Sequence, residues 1–316
     1  MSAIDPDESV RPRPDADAET PAPAPTSRLG TLKNYVALTK PRIIELLLVT
    51  TVPAMLLAAD GWPPLGVALG TLLGGGLAAA GANTFNSFLD RDIDALMHRT
   101  GKRPLVAGTV SPRNALVLAW VLSVLAVVVL WLTSNWLAAI LGIAAIAMYV
   151  FGYTLLLKRR TPQNIVWGGA AGCMPVLIGW AAVTGGLDWA PLVLFLIVFF
   201  WTPPHYWPLS MRYRDDYAAA SVPMLPVVQQ DSRVVVRIMR YSWAMIAASL
   251  LLIPVAGMSW FYSVAAVLLG IGFLWQVYVL RSQVKLDQPQ PMRLFHGSIT
   301  YLSLLFLAVG LDPFVG

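Results

Sequence analysis

The sequence predicts an all-α integral membrane protein with nine transmembrane helices. Three observations predict it. The 316 residues are 57% hydrophobic and only 12% charged, about half the charge of an average soluble domain. Apolar segments long enough to cross a bilayer follow one another along most of the chain. All 22 Lys and Arg fall on one side of the topology those segments define.

The elements follow in order. Residues 1–30, "MSAIDPDESVRPRPDADAETPAPAPTSRLG", are rich in Pro, Ala and acid and nearly free of large apolar side chains. Such a stretch cannot bury a core, so a disordered tail is expected there. It has no apolar h-region for a secretory signal and too much acid for a transit peptide. Residues 31–316 form the membrane domain. Spans are expected at 43–60, 65–89, 114–133, 136–157, 164–184, 189–209, 239–257, 260–280 and 294–311. Breakers separate them: "DGWPP", "TSN", "RRTPQN", "TGGLD" and "DQPQPM". Several connections are only a few residues long, so neighbouring helices must pack antiparallel.

Charge tests this division. Lys33, Lys40 and Arg42 precede the first span, and Arg91, Arg99, Lys102, Arg103 and Arg113 lie between the second and third. The later basic residues sit beyond every second span in the same way, from Lys158, Arg159 and Arg160 to Arg281, Lys285 and Arg293. The opposite connections hold none. The positive-inside rule then puts the N-terminus in the cytoplasm and the C-terminus outside. A distribution set by membrane side also argues against nucleic acid as the partner of a chain with net charge +5. The single cysteine, Cys173, excludes a disulfide framework or a thiolate zinc cluster. A packing role is expected for it.

Against this background, three carboxylates at the end of the second span need a reason. Charge at a membrane-helix end is costly unless it meets water, a partner or a ligand. Asn86, Asp90 and Asp94 are four apart, so on a helix they line one face, with Asp92 pointing away. Two carboxylates and an amide oxygen make a hard-oxygen set. Magnesium takes one or two carboxylates and completes its shell with water and phosphate oxygens. The alternative is a solvated helix end whose acids pair with Arg91 and Arg99. A second polar concentration lies in 210–238, with His205, Arg212, Arg214, Asp215 and Asp216 close by. Acids for a metal and bases for phosphate thus gather on one membrane face, above an apolar floor. That suits a substrate with an ionic head and an apolar tail.

The stretch "NSFLDRDIDALMHRTGKRPLVAGTVSP" resembles the first aspartate-rich motif of the UbiA superfamily of intramembrane prenyltransferases, and more narrowly its heme-farnesylating branch. Supporting stretches, in order, are "LTKPRIIELLLVTT", "YTLLLKRRTPQNIVWGGAAGCMPVLIGW", "WTPPHYWPLSMRYRDDYAAASVPMLPVV" and "LFHGSITYLSLLF". The match covers roughly residues 30–311. The resemblance implies a UbiA-type bundle with a central cavity open to the cytoplasmic side, in a bacterial inner membrane. It implies transfer of a farnesyl group from farnesyl diphosphate to the vinyl group of heme b, with addition of water, for cytochrome oxidase biogenesis. Heme b is then substrate rather than cofactor, and a downstream heme-modifying membrane enzyme is an implied partner. Asn86, Asp90 and Asp94 match the residues that hold Mg2+ on the diphosphate. Arg42, Lys158 and Arg103 match basic positions that grip its oxygens, and Arg212 joins them as a substrate-binding candidate.

The second motif of the wider superfamily carries two acids four apart. Here the equivalent stretch offers His205, then Asp215 and Asp216. A second metal is therefore open, with Asp216 as its candidate ligand. His205 is either a hydrogen-bonded structural residue or a contact to heme, and Trp201 and Trp207 beside it either pack or line the acceptor pocket. Other single residues carry milder expectations. Glu45 should find a buried partner. Gly168, Gly169 and Gly172 should permit close helix packing. Most tryptophans should lie at the interface or pack. Two rival functions are prenyl transfer to an aromatic quinone precursor and ion transport. The quinone enzymes would show the second acid pair, and a transporter would place charge in mid-membrane.

Overall fold

A computed structural model describes residues 28–315, leaving aside the side chains of Arg28, Arg42, Ile43, Leu46 and Leu47. Most of the expected tail thus lies outside the described residues. Its last three positions do not: they open α1 (Arg28–Leu38), a helix the sequence reading missed. No strand occurs among the described residues.

Pro41, at the first helical position where its missing N–H costs nothing, opens α2 (Pro41–Ala59). Next come α3 (Leu65–Leu89), α4 (Arg91–Leu96) and α5 (Pro112–Thr133). Helix α6 (Trp136–Ala147) runs on without a break into a wider π-helix, Met148–Leu157. The fifth expected span is two pieces, α7 (Asn164–Gly168) and α8 (Ala170–Thr184). Helix α9 (Trp189–Arg212) is followed by two short ones, α10 (Arg214–Ala219) and α11 (Leu225–Val228). The last three are α12 (Asp231–Ala256), α13 (Trp260–Lys285) and α14 (Pro291–Leu311), with a single 3-10 turn at Asp312–Phe314.

Among the described residues, eight segments are long and apolar enough to cross a membrane. In α2, the remaining expected span, the described residues include a shorter apolar run, Leu48–Ala59. The chain is a multi-pass membrane protein. Its mid-helix surface is apolar outward, as lipid requires: Leu73, Val124, Ile140, Leu251 and Leu268 are all exposed. Nine of the twelve tryptophans are exposed and three, Trp180, Trp201 and Trp207, are buried. Trp62, Trp131, Trp136, Trp189 and Trp260 flank the short connections at one end, the interfacial belt that an amphipathic ring favours.

Small residues set the closest approach. A Cβ on Gly74 would lie 2.7 Å from Leu130, and one on Gly81 2.5 Å from Ser123. These positions let α3 lie directly on α5. Further round, α9 packs on α12 and α2 on α8, and α14 returns to touch α9, α13 and α2, closing the bundle. The expectation for the later glycines holds in part. Cβ atoms on Gly168 and Gly169 would overlap the Tyr153 ring and Thr202, but one on Gly172 would meet nothing within 4 Å. Cys173 is fully buried, its thiol donating to the Gly169 carbonyl (3.3 Å).

The two ends of the bundle differ. One has short turns and is stitched tightly. Asn135 donates to the Ala181 carbonyl (2.7 Å), Asp312 accepts from Ser259 Oγ (2.5 Å), and Trp62 meets Phe314 at 5.5 Å. The other end carries the longer connections and the polar clusters.

Candidate active site

The acidic stripe is built at the C-terminal end of α3. The helix breaks at Asp90 (φ −92°, ψ 3°), yet the Asp94 N–H still reaches the Asp90 carbonyl at 2.8 Å. The uninterrupted helix that the spacing predicts is therefore kinked, but its register survives. Asn86, Asp90 and Asp94 are all buried, at 3%, 0% and 2% exposure. Burying two carboxylates demands partners.

The partners are not Arg91 and Arg99. Arg91 donates to the Phe88 carbonyl. Lys158 pairs with Asp90, and Arg103 pairs with Asp94 at 2.5 Å. Lys40 donates to Asn86 Oδ1 at 2.5 Å, while Asn86 Nδ2 donates to Asp90 at 2.7 Å and to Thr154 at 3.1 Å. The other Asp90 oxygen is buried with no hydrogen bond, although Arg159 stands 3.8 Å away. Asp92 points outward, as expected, and accepts two 2.7 Å bonds from Arg159. Those bonds hold its carboxyl down near about 2.

Irregular backbone supplies these cations. In the π-helix the Lys158 N–H bonds the Tyr153 carbonyl, five residues back, at 2.8 Å. The wider turn, of a kind frequent at functional sites, brings Thr154 and Lys158 onto the stripe. Asn164 then holds the Lys158 carbonyl (3.1 Å). Lys40 adopts a left-handed conformation (φ 54°) directly before Pro41, a position where both features are disfavoured. Burial, with Arg103 and Lys158 nearby, pulls the Lys40 ammonium down to about 7. Strained backbone of this kind clusters at functional sites. Sequence reading singled out Arg42 and passed over Lys40 and Thr154. The conspicuous Lys-Pro pair was the available signal for Lys40. The Arg42 side chain lies outside the described residues.

Asp216 accepts the Arg99 N–H at 3.2 Å, and the Arg99 side chain reaches Tyr217 at 3.4 Å. These contacts bring the two polar connections together over the same end. Tyr217 also meets Tyr206, hydroxyl to hydroxyl, at 2.9 Å. Arg212 is exposed, its guanidinium 5.9 Å from the Tyr213 ring, with no bond to the stripe among the described residues.

His205 sits in the Pro-rich last third of α9. Its ring stacks between Trp201 (4.2 Å) and Phe295 (4.6 Å), and its Nδ1 meets Ser298 Oγ at 2.8 Å. Trp201 donates to the Ser298 carbonyl at 2.7 Å, and Trp207 is buried. Among the described residues no hydrogen bond or ion pair links His205 to Asp90 or Asp94. His98 and His296 are exposed. Glu45 is exposed as well, so the buried partner expected for it is not found.

No three acidic, His or Cys side chains among the described residues converge tightly enough to hold a metal alone. The stripe offers two carboxylates, one of them with an orphaned oxygen, and an amide oxygen. That donor set fits magnesium whose remaining ligands are water and diphosphate.

Residues 47–299 match the UbiA prenyltransferase family. A protoheme IX farnesyltransferase from Clavibacter sepedonicus is 62% identical over 282 residues, 89% of this chain and 92% of that one. Another from Paenarthrobacter aurescens is 55% identical over 90% of each chain. A UbiA homolog from Archaeoglobus fulgidus, bound to DMAPP and Mg2+, superposes with TM-score 0.66 at 18% identity, covering 87% of this chain and 99% of that chain. This chain belongs to the UbiA prenyltransferase family.

Proposed function

We propose that this protein transfers the farnesyl group of farnesyl diphosphate to a vinyl group of protoheme IX, with addition of water, to give heme O. The observation that carries the reading is the buried stripe of Asn86, Asp90 and Asp94, each already paired with a cation. The names of the relatives supply the acceptor, and the lack of a second acid pair four apart favours heme over a quinone-precursor ring.

The residues divide the work. Asn86, Asp90 and Asp94 would hold Mg2+, which neutralises the diphosphate as it leaves. Lys40, poised on Asn86, and Lys158 and Arg103, poised on the acids, turn their charge toward the diphosphate oxygens. Such preplaced charge is worth most where water is excluded. The loops joined by Asp216 and Arg99 close over that head group, and Asp216 is the candidate for a second ion. Apolar helix walls below shield the allylic cation from water until the vinyl group attacks. His205, clamped between Trp201 and Phe295, serves the acceptor rather than the donor. In this reading nine helices span the inner membrane, and a central cavity opens to the cytoplasm, where every Lys and Arg is placed.

Incubating membranes that contain the protein with heme b, farnesyl diphosphate and magnesium tests the reaction. Mass spectrometry of extracted heme should show one added farnesyl plus one water. Unmodified heme beside a prenylated 4-hydroxybenzoate control would favour the quinone-precursor alternative. His205→Ala should lose farnesylated heme yet still bind a farnesyl diphosphate analogue with magnesium. Normal turnover with weakened analogue binding would move His205 to the donor side.

A further inference from the structure

Arg233 and Arg237 fall in the connection 210–238 that the sequence predicts, and Arg240 at the start of the next expected span. The structure puts all three on α12, which begins at Asp231. At about 100° per residue, they share one line with Ala247, Leu251 and Val255. Those three are exposed, whereas Val234, Val235, Ile238 and Met245, on the opposite face, are buried. The arginines therefore point away from the bundle interior, and the same line runs down into the lipid-facing surface.

No acid among the described residues pairs with them. The acid nearest in sequence, Asp231, is taken by Arg214. Together with Gln229, Ser232 and Val236 they line a groove of about 400 Å³. From Arg240 to Val255 is fifteen residues, about 22 Å of helix, more than the ~15 Å of hydrocarbon in one leaflet. A row of unpaired guanidinium groups above an apolar stripe at least one leaflet long can seat a single membrane lipid.

We propose that this groove binds an anionic phospholipid, its phosphate on Arg233, Arg237 and Arg240 and its acyl chains along Ala247, Leu251 and Val255. Guanidinium groups suit phosphate oxygens better than ammonium groups do, because the planar fork donates twice. The outward direction separates this site from the acidic stripe, and the proposal is independent of which prenyl acceptor the protein uses.

The test uses the full chain in nanodiscs of equal phosphatidylglycerol and phosphatidylcholine, followed by native mass spectrometry of the retained lipid. Each basic residue near an anionic surface adds about fivefold, so phosphatidylglycerol should be retained at least about tenfold over phosphatidylcholine. The Arg233→Gln, Arg237→Gln, Arg240→Gln triple variant should bring the ratio close to one, and Arg237→Gln alone should lower it partway. Lys285→Gln with Arg293→Gln, basic residues outside the groove, should leave it unchanged. Equal loss in that control would mean a diffuse surface potential and overturn the site. So would retained preference in the triple variant. Displacement of the lipid by millimolar inorganic phosphate would make it a free-anion site, and displacement by heme b would make it an acceptor entry; either result overturns the proposal.

Discussion

The two ends of the bundle are held together differently. At the far end every connection is short, and three helices start on a side-chain cap: Asn135 accepts from Ala138 (2.9 Å), Asp188 from Ala190 (3.0 Å) and Ser259 from Phe261 (3.2 Å). At the site end α5 keeps a cap, Ser111 accepting from Asn114 (3.2 Å), but α2 and α12 start with no side-chain cap. Lys40 is left-handed, a π-helix replaces an α-helix, and α3 breaks at an acid. The difference teaches where each kind of interaction is used. Hydrogen bonds to Asn, Ser and Asp side chains, with no ion pair among the described residues, close the far end. Buried ion pairs, weak evidence for stability because desolvation offsets them, sit at the other end, on Asp90 and Asp94.

The sharpest break of this comparison is at the stripe. Asp90→Asn and Asp94→Asn keep the shape but remove the charge. Turnover should fall by about 10²–10³-fold, while the folded fraction in detergent stays near that of the parent chain. Asp92→Ala, one turn face away, should stay within a few-fold. Equal losses for all three would mean that the charges only hold the helix end.

Next comes the seat of the π-helix. Gly168→Ala would push into the Tyr153 ring, costing about 1–3 kcal/mol and moving Lys158. Gly172→Ala, which meets nothing, should change stability by less than about 0.5 kcal/mol. Thermal unfolding of the pair separates the two, and equal shifts would deny the π-helix a positioning role.

A change of similar size at the far end should look different. Asp312 is buried at 6% exposure and accepts from the Ser259 N–H and hydroxyl. Asp312→Ala should cost about 1–3 kcal/mol by leaving those donors unpaired, yet turnover per folded molecule should hold. A matching fall in turnover would erase the distinction between the ends.

The smallest effect is expected at Arg159. Its partner Asp92 is 60% exposed, so Arg159→Gln should cost no more than about 1 kcal/mol. Rising salt should blunt the difference. A larger cost would show that its 3.8 Å approach to Asp90 matters more than the surface pair.

Much of this was legible beforehand. Long apolar runs located the helices because lipid leaves a backbone no other solution. Charge placement divided the loops into two sets, and a four-residue spacing brought Asn86, Asp90 and Asp94 to one face. Motif order pointed to the family. Those signals are local or compositional, so one chain is enough to read them. What the chain could not reveal is pairing. The alternative partners for the acids, Arg91 and Arg99, lost to Lys158, which reaches Asp90 from 68 residues away, and to Arg103, nine residues from Asp94, while Lys40 comes to Asn86 from 46 residues away. Arg233 and Arg237 of α12 read as a loop because charge masked a helix whose buried face holds only Val234, Val235 and Ile238 in that turn. The break at Asp90, the π-helix, the left-handed Lys40 and the Ser298 bond that holds His205 were all decided by tertiary structure. Each is locally unfavourable or undetermined, and only contacts between distant segments make it the lower-energy choice.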